Sequence, residues 1–180
     1  RPMGFGLFKS IAIGAHYARN TYGIERVAVV DFDVHHGNGT QAAFWDIPVF
    51  LYAATHQMPL FPGTGAASER GANGRNIVNA PLPPGAGGLE FRNRMTEVIL
   101  PALREFHPEL LLVSAGFDAH RRDPLANLMR DGGDFSWVTQ QLMAVAADCC
   151  DGRLVSTLEG GYDLVALAEC VSAHVDVLMS

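Results

Sequence analysis

Lysine is almost missing from this chain. Lys9 stands alone against twelve arginines, and acidic residues outnumber basic ones to leave a net charge of −6. Without an excess of positive charge there is no basic face for nucleic acid or anionic lipid. Cysteine is scarce as well. Cys149, Cys150 and Cys170 are odd in number and two are adjacent, which excludes a disulfide framework. All three fall on apolar helical patterns, which predicts buried free thiols in a reducing compartment, with a cytoplasmic location expected. No segment reaches the roughly 18 apolar residues of a membrane span. The opening Arg1-Pro2-Met3-Gly4 carries no signal-peptide pattern. Internal repeats and linkers are absent too. What remains is 180 residues, 48% hydrophobic and 18% charged, which fits one globular domain over residues 1–180 with length enough to bury a core.

Hydrophobic periodicity divides the chain into alternating strands and helices. Residues 7–20 read as a helix with Phe8, Ile11, Ala12, Ala15 and Ala18 on one side, ended by Gly23. Residues 26–30 form a short apolar strand. The turn Gly37-Asn38-Gly39 follows, and Thr40 is positioned to cap a short helix through Trp45. Residues 49–53 give a second strand. Residues 55–88 hold twelve Gly or Pro and a single apolar patch at Ile77-Val78, which predicts one long ordered loop. A helix over 89–106 is expected to kink at Pro101. Strands follow at 110–113 and 154–158. Asp134 is expected to cap the helix carrying Phe135, Val138, Leu142, Val145 and Cys149, and Asp163 the last one.

Short buried strands alternating with amphipathic helices imply a parallel sheet covered on both faces. Ligands in such sheets bind beyond the carboxyl ends of the strands. That rule selects Asp31, Asp33 and His35 after the first strand, Asp118 and His120 after the third, and Gly160-Gly161-Tyr162 after the fourth. In extended backbone Asp33 and His35 point the same way, two residues apart. Asp118 then completes a three-ligand set with open positions, the pattern of a catalytic ion, zinc first and Fe²⁺, Co²⁺ or Mn²⁺ next. The alternative is that Asp33 and His35 only cap the Gly37–Thr40 turn. Asp31 either orients a ligand from behind or faces a helix N-terminus across the sheet. Tyr162 either donates to a developing oxyanion or packs at a helix start. His36 and His120 neighbour the site, and His56 opens the long loop.

Taken together these segments resemble the histone deacetylase superfamily with its acetylpolyamine amidohydrolase relatives. The resemblance rests on Gly4-Phe5 ahead of a helix, Val30 to Thr40 with its Asp-Phe-Asp-Val-His-His core, Phe61-Pro62-Gly63-Thr64-Gly65, Ser114 to His120, Asp123-Pro124-Leu125, and Leu158-Glu159-Gly160-Gly161-Tyr162. They occur in the family's order along nearly the whole chain, and the Glu-Gly-Gly-Tyr form is similar to the class II branch and its bacterial relatives. The resemblance implies part of a three-layer arginase/deacetylase-like α/β fold around a central parallel sheet. It implies zinc-dependent hydrolysis of an acyl amide, most readily N-acetyl-lysine, by metal-activated water. Asp33, His35 and Asp118 match the metal ligands, and Tyr162 the residue that helps polarise the carbonyl. Asp31 matches the acid behind a catalytic histidine and a contributor to a structural potassium (K⁺) site. Phe5 and Phe61 match the aromatic walls of the acyl-lysine tunnel, with Gly4 and Gly160 beside it and Leu125 at its rim.

The chain departs from the family in three places. It starts at Arg1, so the tandem histidines that precede the Gly-Phe turn, one of them the general base, are not in it. The expectation is the central and C-terminal portion of a longer deacetylase domain, with apolar surface and a strand edge uncovered. Ala54 stands where the family often has a potassium-holding Ser, and Lys9-Ser10 where an Asn pair is usual. Leu125 cannot attract a second ammonium, which favours an acetylated lysine side chain over an acetylated small amine. Nucleic acid and membrane are not expected as direct partners, and a homo-oligomer is compatible with the sequence. The competing readings are an acetylpolyamine amidohydrolase, a dimanganese ureohydrolase, and an inactive acyl-lysine-binding remnant.

Overall fold

A computed structural model describes residues 3–180. Five parallel strands form one sheet in the order β3-β2-β1-β4-β5. They are β1 (Val27–Asp31), β2 (Phe50–Gln57), β3 (Ile77–Leu82), β4 (Leu110–Ala115) and β5 (Leu154–Leu158). β1 lies at the centre with Val30 level with Ala53 of β2 and Val113 of β4. Its residues are buried at every position, as a strand covered on both faces requires.

The pleat sorts the core into two layers. Val27 and Val29 point toward α1 (Ser10–Tyr22) and α2 (Asn38–Phe44), packing with Ile11, Ala15, Phe44 and Phe50. Ala28 and Val30 point the other way, into a larger cluster built on Phe91, Met95, Phe135, Leu142 and Cys170. Those side chains come from α3 (Gly88–Arg94), α5 (Gly132–Cys150), α6 (Leu164–Leu178) and the π-helical turn over Met95–Ile99 that joins α3 to α4 (Leu100–Phe106). The expected three layers around a parallel sheet are therefore present. Among the described residues no helix is long and apolar enough to cross a membrane.

Several local expectations are corrected. The apolar patch at Ile77-Val78 is the start of a fifth strand, so the long loop is interrupted by β3, which pairs with β2 through Gln57 and Leu82. The kink assigned to Pro101 falls earlier. The widened turn from Met95, where the N–H of Leu100 reaches the Met95 carbonyl, accommodates a ring that carries no N–H. α1 starts at Ser10 and runs on to Tyr22. α2 starts at Asn38 with Gly37 at its N-cap, so Thr40 is helical and not the cap. α5 is capped by Asp131, whose carboxylate accepts from Gly133 N–H, while Asp134 sits three residues in and accepts from the N–H of Asp131. Asp163 caps α6 through Ala166 N–H as expected.

β5 pairs on one side only, with β4. Val155 and Leu158 on it are exposed, and so are Ile13 and Tyr17 on the outer side of α1.

Candidate metal centre

β1 ends at Asp31, and the chain then bends instead of continuing as strand. Asp33 and His35 converge because of that bend, not through the extended backbone the spacing suggested. Asp31 starts the turn: its Oδ1 accepts from Asp33 N–H at 3.1 Å and its Oδ2 from the Tyr52 hydroxyl at 3.1 Å. Asp33 Oδ1 accepts from His35 N–H at 2.7 Å, and its Oδ2 accepts from Gly160 N–H at 2.8 Å, beyond the end of β5. Asp118, beyond β4, accepts from Val34 N–H at 2.8 Å. Three strand ends are thus tied by backbone donors to two carboxylates, which fixes both side chains before any ligand arrives.

One ligating atom each from Asp33, His35 and Asp118 lies within 4.8 Å of the other two. His35 Nδ1 stands 3.2 Å from Asp33 Oδ1 and 3.0 Å from Asp118 Oδ2. Within the cluster, neighbours perturb the protonation of His35 and Asp118. Hydrogen bonds to Asp118 and then Asp33 push the His35 imidazole up to about 10. Burial, followed by the charge of Asp33, pushes Asp118 up to about 7. Asp31 is held well above the usual carboxylate range by burial and by Asp33. Carboxylates crowded out of water attract positive charge, and the two oxygens with one imidazole nitrogen suit a divalent ion of intermediate softness.

Asp31, Asp33, His35, Phe61, Leu125 and Tyr162 line a cleft of about 1020 Å³. Tyr162 is anchored by its own N–H, which donates to Asp123 Oδ2 at 2.8 Å. Burial, then the charges of Asp118 and Asp33, pushes its phenol up to about 12, so it is a hydrogen-bond donor at neutral pH. The Phe5 ring meets the Tyr162 ring edge-on at 6.0 Å. Gly4 faces Phe61, whose Cε1 lies 3.4 Å from where a Cβ on Gly4 would stand. Phe5, Phe61 and Leu125 are exposed to the cleft mouth. Gly160 lines the cleft too, but its N–H is committed to Asp33. Among the described residues no imidazole hydrogen-bonds to Asp31, whose partners are Asp33 N–H and Tyr52.

Four of the other histidines have structural partners. His36 bridges Thr64 and Gln41, His56 contacts the Gly65 carbonyl, and His174 is buried between Thr139 and Ser156. His120 Nδ1 accepts from Arg122 N–H. Sequence reasoning missed Arg130. It is fully buried, lies 3.7 Å over the Phe91 ring and donates to the Phe32 carbonyl at 2.9 Å, just behind the ligand turn. No local pattern marks a buried arginine.

The chain is thus a parallel α/β sheet that carries a carboxylate–imidazole–carboxylate cluster and a phenol at its strand ends. The histone deacetylase domain matches residues 1–178, and the chain belongs to the histone deacetylase family. It is 47% identical over 173 residues to a rice protein (Oryza sativa subsp. japonica) named histone deacetylase 10, chloroplastic, covering 95% of this chain and 39% of that one. It is 40% identical over 181 residues to the histone deacetylase-like amidohydrolase of Pseudomonas aeruginosa, covering 99% and 48%. The crystal structure of the HDA15 HD domain superposes with a TM-score of 0.92 at 38% identity, over 99% of this chain and 51% of that one. The chain therefore spans about half the length, or less, of the relatives it matches.

Proposed function

We propose that Asp33, His35 and Asp118 hold one zinc ion and that the chain is the metal-bearing portion of an amide hydrolase acting on N-acetyl-lysine side chains. The observation that carries this reading is the convergence of those three ligating atoms within 4.8 Å, beside a cleft that Asp33, His35 and Tyr162 line. Zinc in such a setting polarises a carbonyl and acidifies water. The chain's own residues do the rest. Backbone N–H groups of His35, Gly160 and Val34 fix the orientation of the two carboxylates. Asp31 holds the turn that presents them. Tyr162 donates to the amide oxygen as negative charge builds on it. Phe5 and Phe61 flank the methylene stem of the acylated side chain, and Leu125 offers nothing to a second ammonium. That favours lysine over a polyamine, leaving an acetylpolyamine amidohydrolase as the alternative.

Potassium at Asp31 would lack one side-chain oxygen, because Ala54 brings no hydroxyl. One observation favours a second reading, that of a binding module without turnover. His35 is assigned to the metal, and His36, the other imidazole lining the cleft, has both nitrogens taken by Thr64 and Gln41. A proton acceptor for water is therefore not supplied by the described imidazoles.

The decisive experiment measures zinc per chain together with hydrolysis of a fluorogenic acetyl-lysine amide. One zinc per chain, lost in Asp118→Ala, is expected. Two metals would indicate a dimetal ureohydrolase instead, and no uptake would end the proposal. Zinc and hydroxamate binding without hydrolysis would select the binding module.

A further inference from the structure

His36 follows the ligand turn directly, and its ring is buried against the segment that carries Phe61. Nε2 lies 2.8 Å from Gln41 Oε1, and Nδ1 lies 2.7 Å from Thr64 Oγ1. The partners fix the tautomer. Gln41 Nε2 donates to the Glu69 carboxylate, so Gln41 Oε1 is the oxygen and only accepts. The proton is therefore on His36 Nε2, and Nδ1 accepts from the Thr64 hydroxyl. Asn79 donates to the same Gln41 oxygen at 2.8 Å, which anchors the far side of this bridge to β3.

The loop beyond Phe61 sits flush on this support. His56 donates to the Gly65 carbonyl at 2.9 Å, and Glu69 Oε1 accepts from Gly65 and Ala66 N–H, both at 3.0 Å. A Cβ on Gly65 would stand 2.7 Å from the His36 ring, so only glycine lets the loop lie this close. Around Phe61, Gly63 N–H donates to the Leu60 carbonyl at 2.9 Å and Gln57 Nε2 donates to the Pro59 carbonyl at 3.4 Å. The bond from Thr64 to His36 is the side-chain tie on the C-terminal side of Phe61, and it leads straight to the residue after His35.

We propose that His36 is a positioning residue that sets the distance between the Phe61 wall and the Asp33–His35–Asp118 cluster, and thereby the length and width of acyl chain the cleft accepts. The acyl part rests on the function proposed above; the positional part does not. The ring is one link between two loops that must be in register, since Phe61 has to face the chain whose carbonyl is presented to the cluster. The hydroxyl of Thr64 is the adjustable half of that link, because Thr64 is exposed while His36 is buried.

Thr64→Val tests this, since it keeps the shape and removes the donor without altering the core. Thr64→Ser is the conservative rescue. Amide hydrogen exchange on the chain without metal is the first readout. Gly63 and Gly65 should exchange about tenfold faster in the Val variant and return toward wild type in the Ser variant. The amides of Val34 and His35, bonded to Asp118 and Asp33, should not change. Unchanged exchange at Gly63 and Gly65 overturns the proposal. Faster exchange at Val34 and His35 as well overturns it too, because the bond would then support the whole turn and not the wall. The second readout is titration of the zinc-loaded chain with acetohydroxamate and hexanohydroxamate. The Val variant should lose about fivefold in affinity for the longer probe, with the shorter probe and zinc uptake unaltered. An equal loss for both probes overturns the selectivity claim. If wild-type chain takes up no zinc, the proposed function fails, while the exchange measurement still decides the role of His36.

Discussion

Gly160 shows how much of the site depends on single residues. Its N–H holds Asp33, and the space where its side chain would begin is filled by the carboxylates of Asp33 and Asp118. Gly160→Ala should therefore push both ligands apart and abolish zinc binding while leaving the sheet intact. Metal content and far-UV circular dichroism measured together check this. Tyr162 makes the opposite prediction. Its ring contacts Phe5 and its anchor is its own N–H, so Tyr162→Phe leaves the ligands and the packing in place. Zinc content should stay at the wild-type level. Hydrolysis, measured in a form of the protein that turns over, should fall by about a hundredfold or more, the cost of removing one oxyanion donor.

At the scale of elements, α5 carries the larger half of the core. Leu142 on it is buried against the sheet, and Asp131 closes its first turn. Leu142→Ala should cost about 3 kcal/mol, a buried leucine truncated to leave a cavity. Asp131→Ala should cost about 1 kcal/mol, the worth of a helix cap. Urea unfolding separates the two magnitudes. The elements also show what the amino-acid order reveals and what it hides. β1 and β4 are legible as short apolar runs because a strand buried on both faces needs no alternation, and β5 is legible from its apolar composition alone, since as an edge strand it has no buried position. β3 is hidden because Asn79 and Pro81 interrupt its pattern, and only pairing with β2 makes it a strand. The cap of α5 is misread because Asp131 and Asp134 are both good capping residues, and the choice depends on where the preceding loop arrives. Asp33, His35 and Asp118 are legible because strand ends in a parallel sheet share one rim. The tie between His36 and Thr64 spans 28 residues, and no local pattern says which loop folds over which. Arg130 is invisible for a similar reason: its partners Phe32, Thr55 and Phe91 come from other elements.

At the scale of the whole molecule, buried titrating groups tie stability to pH, and they do not all pull the same way. His56 is buried with its Nε2 on the Gly65 carbonyl, and burial, helped by the nearby His36, lowers it from 6.5 to about 4. The folded chain thus resists protonating it. Its contribution is fully present above pH ~6.5, is lost as pH falls from there toward ~4, and does not change further below. Asp118 acts in the reverse sense, because its folded value of about 7 lies above the unfolded one. Without metal the folded chain takes up that proton more readily, and stability falls as pH rises between about 4 and 7. The two slopes oppose each other in metal-free wild-type protein, so the His56 contribution is read by comparing variants. His56→Gln keeps a donor for Gly65 and removes the titrating ring. Between pH 7 and pH 5 this variant should gain roughly 2 kcal/mol relative to wild type, from the 6.5-to-4 displacement of a single histidine. Urea unfolding of both proteins at the two pH values measures the difference directly. An equal pH dependence in the two would show that His56 takes up its proton in the folded chain as readily as in the unfolded one.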